Sequence, residues 1–175
     1  MRWLVRSVAL VIVAAVAGLG TVALTSRNDL ERANDDLDAA WERVRPDLDA
    51  RYDALGRANE AVRGAGGSAR RIVGEIDSTL ARWTDAANTR APVATQIGLA
   101  NELEGLGRRL AATIRDSPRF ETDSVATAYA DFERAAVDAR DLNRAVDHHD
   151  LARGGTLRRF VTGMLGNGDV PHFAA

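Results

Sequence analysis

The sequence predicts an all-α protein: an N-terminal transmembrane helix, then an antiparallel up-down bundle of four helices with a short C-terminal helix. Three observations carry this. Aromatic residues make up only 5% of the chain, and β-branched residues are thin beyond the N-terminus, so strands lack their preferred material. A long uncharged apolar run lies close to the N-terminus. The remainder, rich in Ala, Leu, Arg and Glu, repeats its apolar residues at steps of three and four, the period of a helix packed along one face.

The first element is the run from Ser7 to Ser26, preceded by Trp3 and Arg6. About 20 apolar residues cross a hydrocarbon layer of about 30 Å, so residues 1–27 are read as a membrane anchor. A cleaved signal ending near Thr21-Val22-Ala23 is the alternative, and a buried core helix a more distant one. Arg2 and Arg6 join the amino terminus on one flank. Arg27 and Arg32 on the other are neutralised by Asp29, Glu31, Asp35 and Asp36, which places the following domain on the extracytoplasmic side.

Residues 28–166 are expected to form the bundle, and residues 167–175 a tail. Helix one, Asn28 to Arg63, carries the stripe Leu30, Leu37, Trp41, Val44, Leu48, Leu55, Val62, with Pro46 off the stripe; Gly64 to Gly67 ends it. Helix two presents Ile72, Val73, Ile76, Leu80, Trp83 and Ala87, with Ser68 as its N-cap and a break over Asn88–Pro92. Helix three presents Ile97, Ala100, Leu103, Leu106, Leu110 and Ile114, and stops at Asp116-Ser117-Pro118. The fourth is expected to run unbroken from a cap at Thr122 or Asp123 through Val125, Tyr129, Phe132, Ala136, Ala139, Leu142 and Val146 to Gly154-Gly155. A fifth, Leu157 to Leu165, reads as a cap on the open end of the bundle rather than a membrane-surface helix. Short connections favour antiparallel neighbours.

With these elements in place the chain resembles the LemA family. The resemblance rests on Ala39-Ala40-Trp41-Glu42-Arg43-Val44 and Asp47 to Leu55 in the first helix, and on Arg140-Asp141-Leu142-Asn143-Arg144-Ala145-Val146 in the fourth. Ser117-Pro118, Gly163-Met164-Leu165-Gly166 and Pro171-His172-Phe173 complete it. Leu142, His149-Asp150 and Thr156-Leu157 depart from the family pattern, marking a diverged member. The resemblance implies a membrane helix followed by an antiparallel bundle and adds little about activity.

The chemistry of the chain is mostly negative. The 23 basic residues are all Arg, interleaved with 25 acids to a net charge of −2, and no basic stripe exists to track a phosphate backbone; nucleic acid is not an expected partner. Without Cys there is no disulfide, thiolate metal site or thiol nucleophile. His148 and His149 are adjacent, so on a helix they point about 100° apart and do not chelate as an i,i+4 pair does; they are read as solvated. Glu102 and Glu104 are likewise taken as surface residues facing apart. Trp41 and Trp83 lie on stripes and are assigned to the core. Asn34, Asn59, Asn101 and Asn143 sit on or beside stripes, either as buried register-setting amides or as residues of the stripe margin. No catalytic, cofactor or metal residue is assigned. The expected role is a single-pass envelope protein that binds other envelope proteins or self-associates, with no small-molecule substrate and no enzymatic activity. The alternatives are a metal-dependent or other enzyme at the His148-His149 end, or a secreted bundle.

Overall fold

The computed structural model describes residues 2–65, 69–154 and 169–174, with side chains from residue 28 onward. The expected fifth helix over Leu157–Leu165, the Ser68 cap and the side chains of the Ser7–Ser26 run lie outside these. Among the described residues no helix is long and apolar enough to cross a membrane.

The described elements are helical: α1 (Arg2–Ala65), α2 (Arg70–Asn88), α3 (Val93–Arg115), a 3-10 turn (Pro118–Phe120), α4 (Asp123–Arg134) and α5 (Arg140–Arg153). α1 is the spine. Its whole expected stripe, from Leu30 to Val62, is buried. Pro46 leaves one backbone carbonyl without its usual partner but sits on the exposed face, and the helix continues through it. α2 runs back along α1 and α3 forward again. On α1, Asn59 meets Val73 and Trp41 meets Trp83, while Tyr52 reaches Ala100.

The α2–α3 corner is built locally. The N–H of Ala91 bonds the carbonyl of Ala86 and the N–H of Arg90 that of Ala87, the paired bonds of a Schellman motif, and Pro92 follows. The position that glycine ordinarily fills there is held by Arg90, at φ 52°. Arg90→Gly is therefore expected to raise stability by roughly 0.5–1 kcal/mol, relief of left-handed strain partly offset by a more flexible unfolded chain. A melting temperature at or below that of the parent would show that the Arg90 side chain contributes more than its backbone costs.

The fourth predicted helix is two. Thr122 caps α4 as expected, its Oγ1 accepting from the N–H of Val125 at 3.4 Å. The helix then stops at Arg134, and Ala136, expected on the apolar stripe, is exposed in the break. α5 restarts at Arg140, where the Asp138 carboxylate accepts from the Arg140 backbone N–H and guanidinium; these bonds lower the Asp138 pKa to about 2. α4 and α5 together take the place of the single fourth helix expected beside α1. α5 descends beside the first half of the described bundle, where Ala152 meets Leu30 and Ala33.

α3 and α5 barely touch each other. The gap between them is filled by Asp169–Ala174, whose Val170 and Phe173 belong to the main core with Leu142 and Leu103.

Candidate functional site

Two polar constellations stand out from the apolar packing. The first is Arg51, which projects from α1 between Leu48 and Leu55, on the buried face. Its Nε and Nη2 donate to the two carboxylate oxygens of Glu104 on α3, at 2.6 and 2.9 Å. Its Nη1 donates to the carbonyls of Phe132 and Ala135, both at 2.9 Å, which are end groups of α4. The guanidinium also lies over the Phe132 ring, 4.1 Å from its centroid. Planar, five-donor geometry suits a site that must satisfy a carboxylate and two carbonyls at once. Gly107 also borders that ring: an added Cβ there would come within 2.7 Å of Phe132. Glu104 is therefore no surface residue but only 2% exposed, whereas Glu102 is exposed and pairs with Arg82. The hydrogen bond to Glu104 raises the Arg51 pKa further, so the guanidinium stays charged. Tyr52 alongside donates to the carbonyl of Ala100, and burial pushes its phenol above the ordinary range.

The second constellation holds the Asp169–Ala174 segment. Asn143 on α5 donates from Nδ2 to the carbonyl of Phe173 at 3.0 Å and accepts from the same residue's N–H at 2.8 Å. From the other side Asn101 on α3 donates to the carbonyl of His172 at 2.7 Å and accepts from the N–H of Ala174 at 2.8 Å. His172 Nε2 lies 2.9 Å from the Asp147 carboxylate, and Arg153 pairs with Asp169. The segment thus runs antiparallel to α5. From Arg153 to Asn143 a helix advances about 15 Å, and four extended residues from Asp169 to Phe173 advance about 13 Å, so the two stay in step.

No family model, curated protein or solved structure matches the chain.

The other predicted residues divide. Trp41 and Trp83 are core residues, 1% and 5% exposed and edge-to-face at 6.0 Å, and Trp83 donates to Asp49. Of the four Asn residues only Asn59 is buried, donating to the Val73 carbonyl and Asp77 across the α1–α2 interface. Asn101 and Asn143 are half-buried and grip the segment described above; Asn34 is half-buried as well. His148 is exposed and lies 3.4 Å from Asp36, but His149 is 2% exposed, a correction to its reading as solvated. It falls on the inner face of α5, three residues after Val146. The two imidazoles therefore occupy opposite environments. Among the described residues no cluster of three or more His, Asp or Glu is arranged to hold a metal ion.

Burial, and then the Arg153 charge, lower the His149 pKa below 6.5, against weaker opposition from Asp150 and Asp169. The unfolded chain thus takes up the proton first as pH falls, so this residue's contribution is complete above about pH 6.5 and is lost on acidification. Stability is expected to drop between pH 6.5 and the lower folded value, and His149→Gln is expected to flatten that slope. Denaturant titrations at pH 7.5 and 5.5 measure it. An unchanged slope in the variant would assign the acid sensitivity elsewhere.

Proposed function

We propose that the chain is a non-catalytic, membrane-tethered interaction module. Residues 1–27 hold it in the cell membrane, and the bundle faces the extracytoplasmic side, where it binds other envelope proteins or further copies of itself. The observation that carries this reading is the Asn101–Asn143 grip on an extended segment. Side-chain amides that engage backbone N–H and C=O groups are a means of peptide recognition, with affinity from the main chain and selectivity from pockets. The buried acid is by contrast committed: both oxygens of Glu104 are held by Arg51. An enzyme built on the His148-His149 end is disfavoured by the divergence of the two rings.

The resemblance to the LemA family draws support from a contact. Two of the segments that carry it, Arg140–Val146 and Pro171–Phe173, meet through the Asn143–Phe173 hydrogen bonds. The tether rests on the length of the Ser7–Ser26 run and on its flanking charges.

Membranes carrying the full chain test the reading. The protein is expected to stay in the pellet after alkaline carbonate, with Arg2 retained on N-terminal sequencing, and protease added to spheroplasts is expected to digest residues 28–175. Release into the supernatant, or a mature start after Ala23, would replace the tether with secretion; a protected bundle would reverse the orientation. Proximity labelling from the bundle is expected to mark envelope proteins or the chain itself, and labelling no different from an unrelated tethered domain would sink the interaction role.

A further inference from the structure

We propose that copies of this chain exchange their Asp169–Ala174 segments, each docking into the seam between α3 and α5 of another copy. The proposal rests on the interaction-module reading and names its ligand: an extended peptide with the pattern apolar, Pro, His, Phe, small residue.

The seam is built as a peptide receptor. An extended chain turns successive backbone groups to opposite sides, and the two Asn residues match that alternation. Asn143 takes the N–H and C=O of Phe173 on one edge, while Asn101 takes the C=O of His172 and the N–H of Ala174 on the other. Each carboxamide offers one donor and one acceptor in a plane, as a neighbouring strand would. These bonds read the backbone of any extended peptide. Selectivity comes from what surrounds them: Phe173 and Val170 are 4% and 8% exposed in the core, and Asp147 accepts the His172 imidazole. Pro171 contributes no N–H that would need an acceptor. Since α3 and α5 barely touch, the segment is itself the filling between them.

A second copy is the outside occupant that fits the seam, because its identical segment can make every one of these contacts. Chain length permits it. The ion pair between Arg153 and Asp169 brings together the two ends of residues 154–168, so little of that stretch is needed to span distance. Those fifteen residues join the segment to the bundle that carries it. Exchange swaps identical contacts, so it opposes only the loss of independent motion and the local concentration set by the intramolecular link. Confinement of copies to one membrane plane raises the competing concentration of neighbours.

The test uses full-length protein in nanodiscs that hold several copies. Donor- and acceptor-labelled wild-type copies are expected to associate, and an excess of the synthetic peptide Asp169–Ala174 to reduce the energy transfer at least tenfold. A groove variant, Asn101→Ala with Asn143→Ala, keeps the segment; a segment variant, Val170→Ala with Phe173→Ala, keeps the groove. Neither alone is expected to associate, whereas a mixture of the two is expected to recover at least tenfold more transfer than either. Wild-type copies that do not associate, or associate regardless of peptide, overturn the exchange, and so does a mixture no better than its parts. Association that ignores the peptide leaves the interaction role standing through another surface. Peptide binding to the segment variant without association of wild-type copies assigns the seam to a different protein's segment, and the exchange falls.

Discussion

Glu104→Ala is expected to destabilise the bundle by roughly 3–5 kcal/mol, lowering its melting temperature by more than about 10 °C. The magnitude follows from what is left behind. Arg51 cannot shed its proton, and its Nε and Nη2 would lose both acceptors in a site almost closed to water. A charge buried beside its partner contributes little net stability, since desolvation offsets attraction; a charge buried alone is costly. The double variant Arg51→Met with Glu104→Met is accordingly expected to be more stable than Glu104→Ala alone. It is not expected to reach the parent, because the carbonyls of Phe132 and Ala135 lose their donor and Phe132 loses the cation on its face. Chemical denaturation of the three proteins decides it. A Glu104→Ala variant that melts within a degree or two of the parent would mean that water reaches Arg51 freely.

Trp41→Ala is expected to cost a similar 3–5 kcal/mol, the usual loss when a buried aromatic is truncated. Trp41 is 1% exposed and packs against Trp83, which in turn meets Tyr52 at 4.9 Å and 82°. Loss of the first ring opens a space between α1 and α2 that the other two cannot both fill. Trp41→Phe is expected to retain most of the stability. Among the described residues the indole N–H of Trp41 has no hydrogen-bond partner, so the smaller ring sacrifices packing area but no bond. Equal losses for the Phe and Ala variants would point to an unrecognised partner for that N–H, and no loss in either would place Trp41 outside the core.

The contrast between elements shows what periodicity can and cannot reveal. The α1 stripe from Leu30 to Val62 was legible because burial on one helix face is a local arithmetic of threes and fours. The corner at Asn88–Pro92 and the stop before Pro118 were legible because Pro and its neighbours act on their own backbone. Nothing comparable marks the interruption between α4 and α5: Ala135, Ala136, Val137 and Ala139 contain no breaker. There the ending is met by Arg51, more than eighty residues away in sequence, which takes the carbonyls of Phe132 and Ala135. Tertiary contact overrides propensity at that point.

A signal for the buried pair was nevertheless present. Arg51 follows Leu48 by three and precedes Leu55 by four, and Glu104 follows Ala100 by four and precedes Gly107 by three. Opposite charges each standing on an apolar stripe are candidates for one another. Glu102, two residues from Glu104, is exposed, so nearness in sequence does not separate the buried acid from the surface one. Asn101 and Asn143 stand on or beside apolar stripes, but their partner is backbone, and backbone leaves no trace in a residue pattern. Adjacency likewise gives His148 and His149 no shared environment, since one residue turns a helix far enough to move a side chain from water to core.

The unbroken course of α1 from Arg2 to Ala65 has a consequence of phase. No swivel separates residues 2–27 from the bundle, so the azimuth of every other helix about the α1 axis is fixed by whatever orients those first turns. One residue inserted after Arg27 would rotate the bundle by about 100° and advance it about 1.5 Å, while seven would return it to within about 20° of its starting bearing. Neighbouring copies would then face one another through different sides or through the same side according to the number inserted, with the interior of each bundle left as it was.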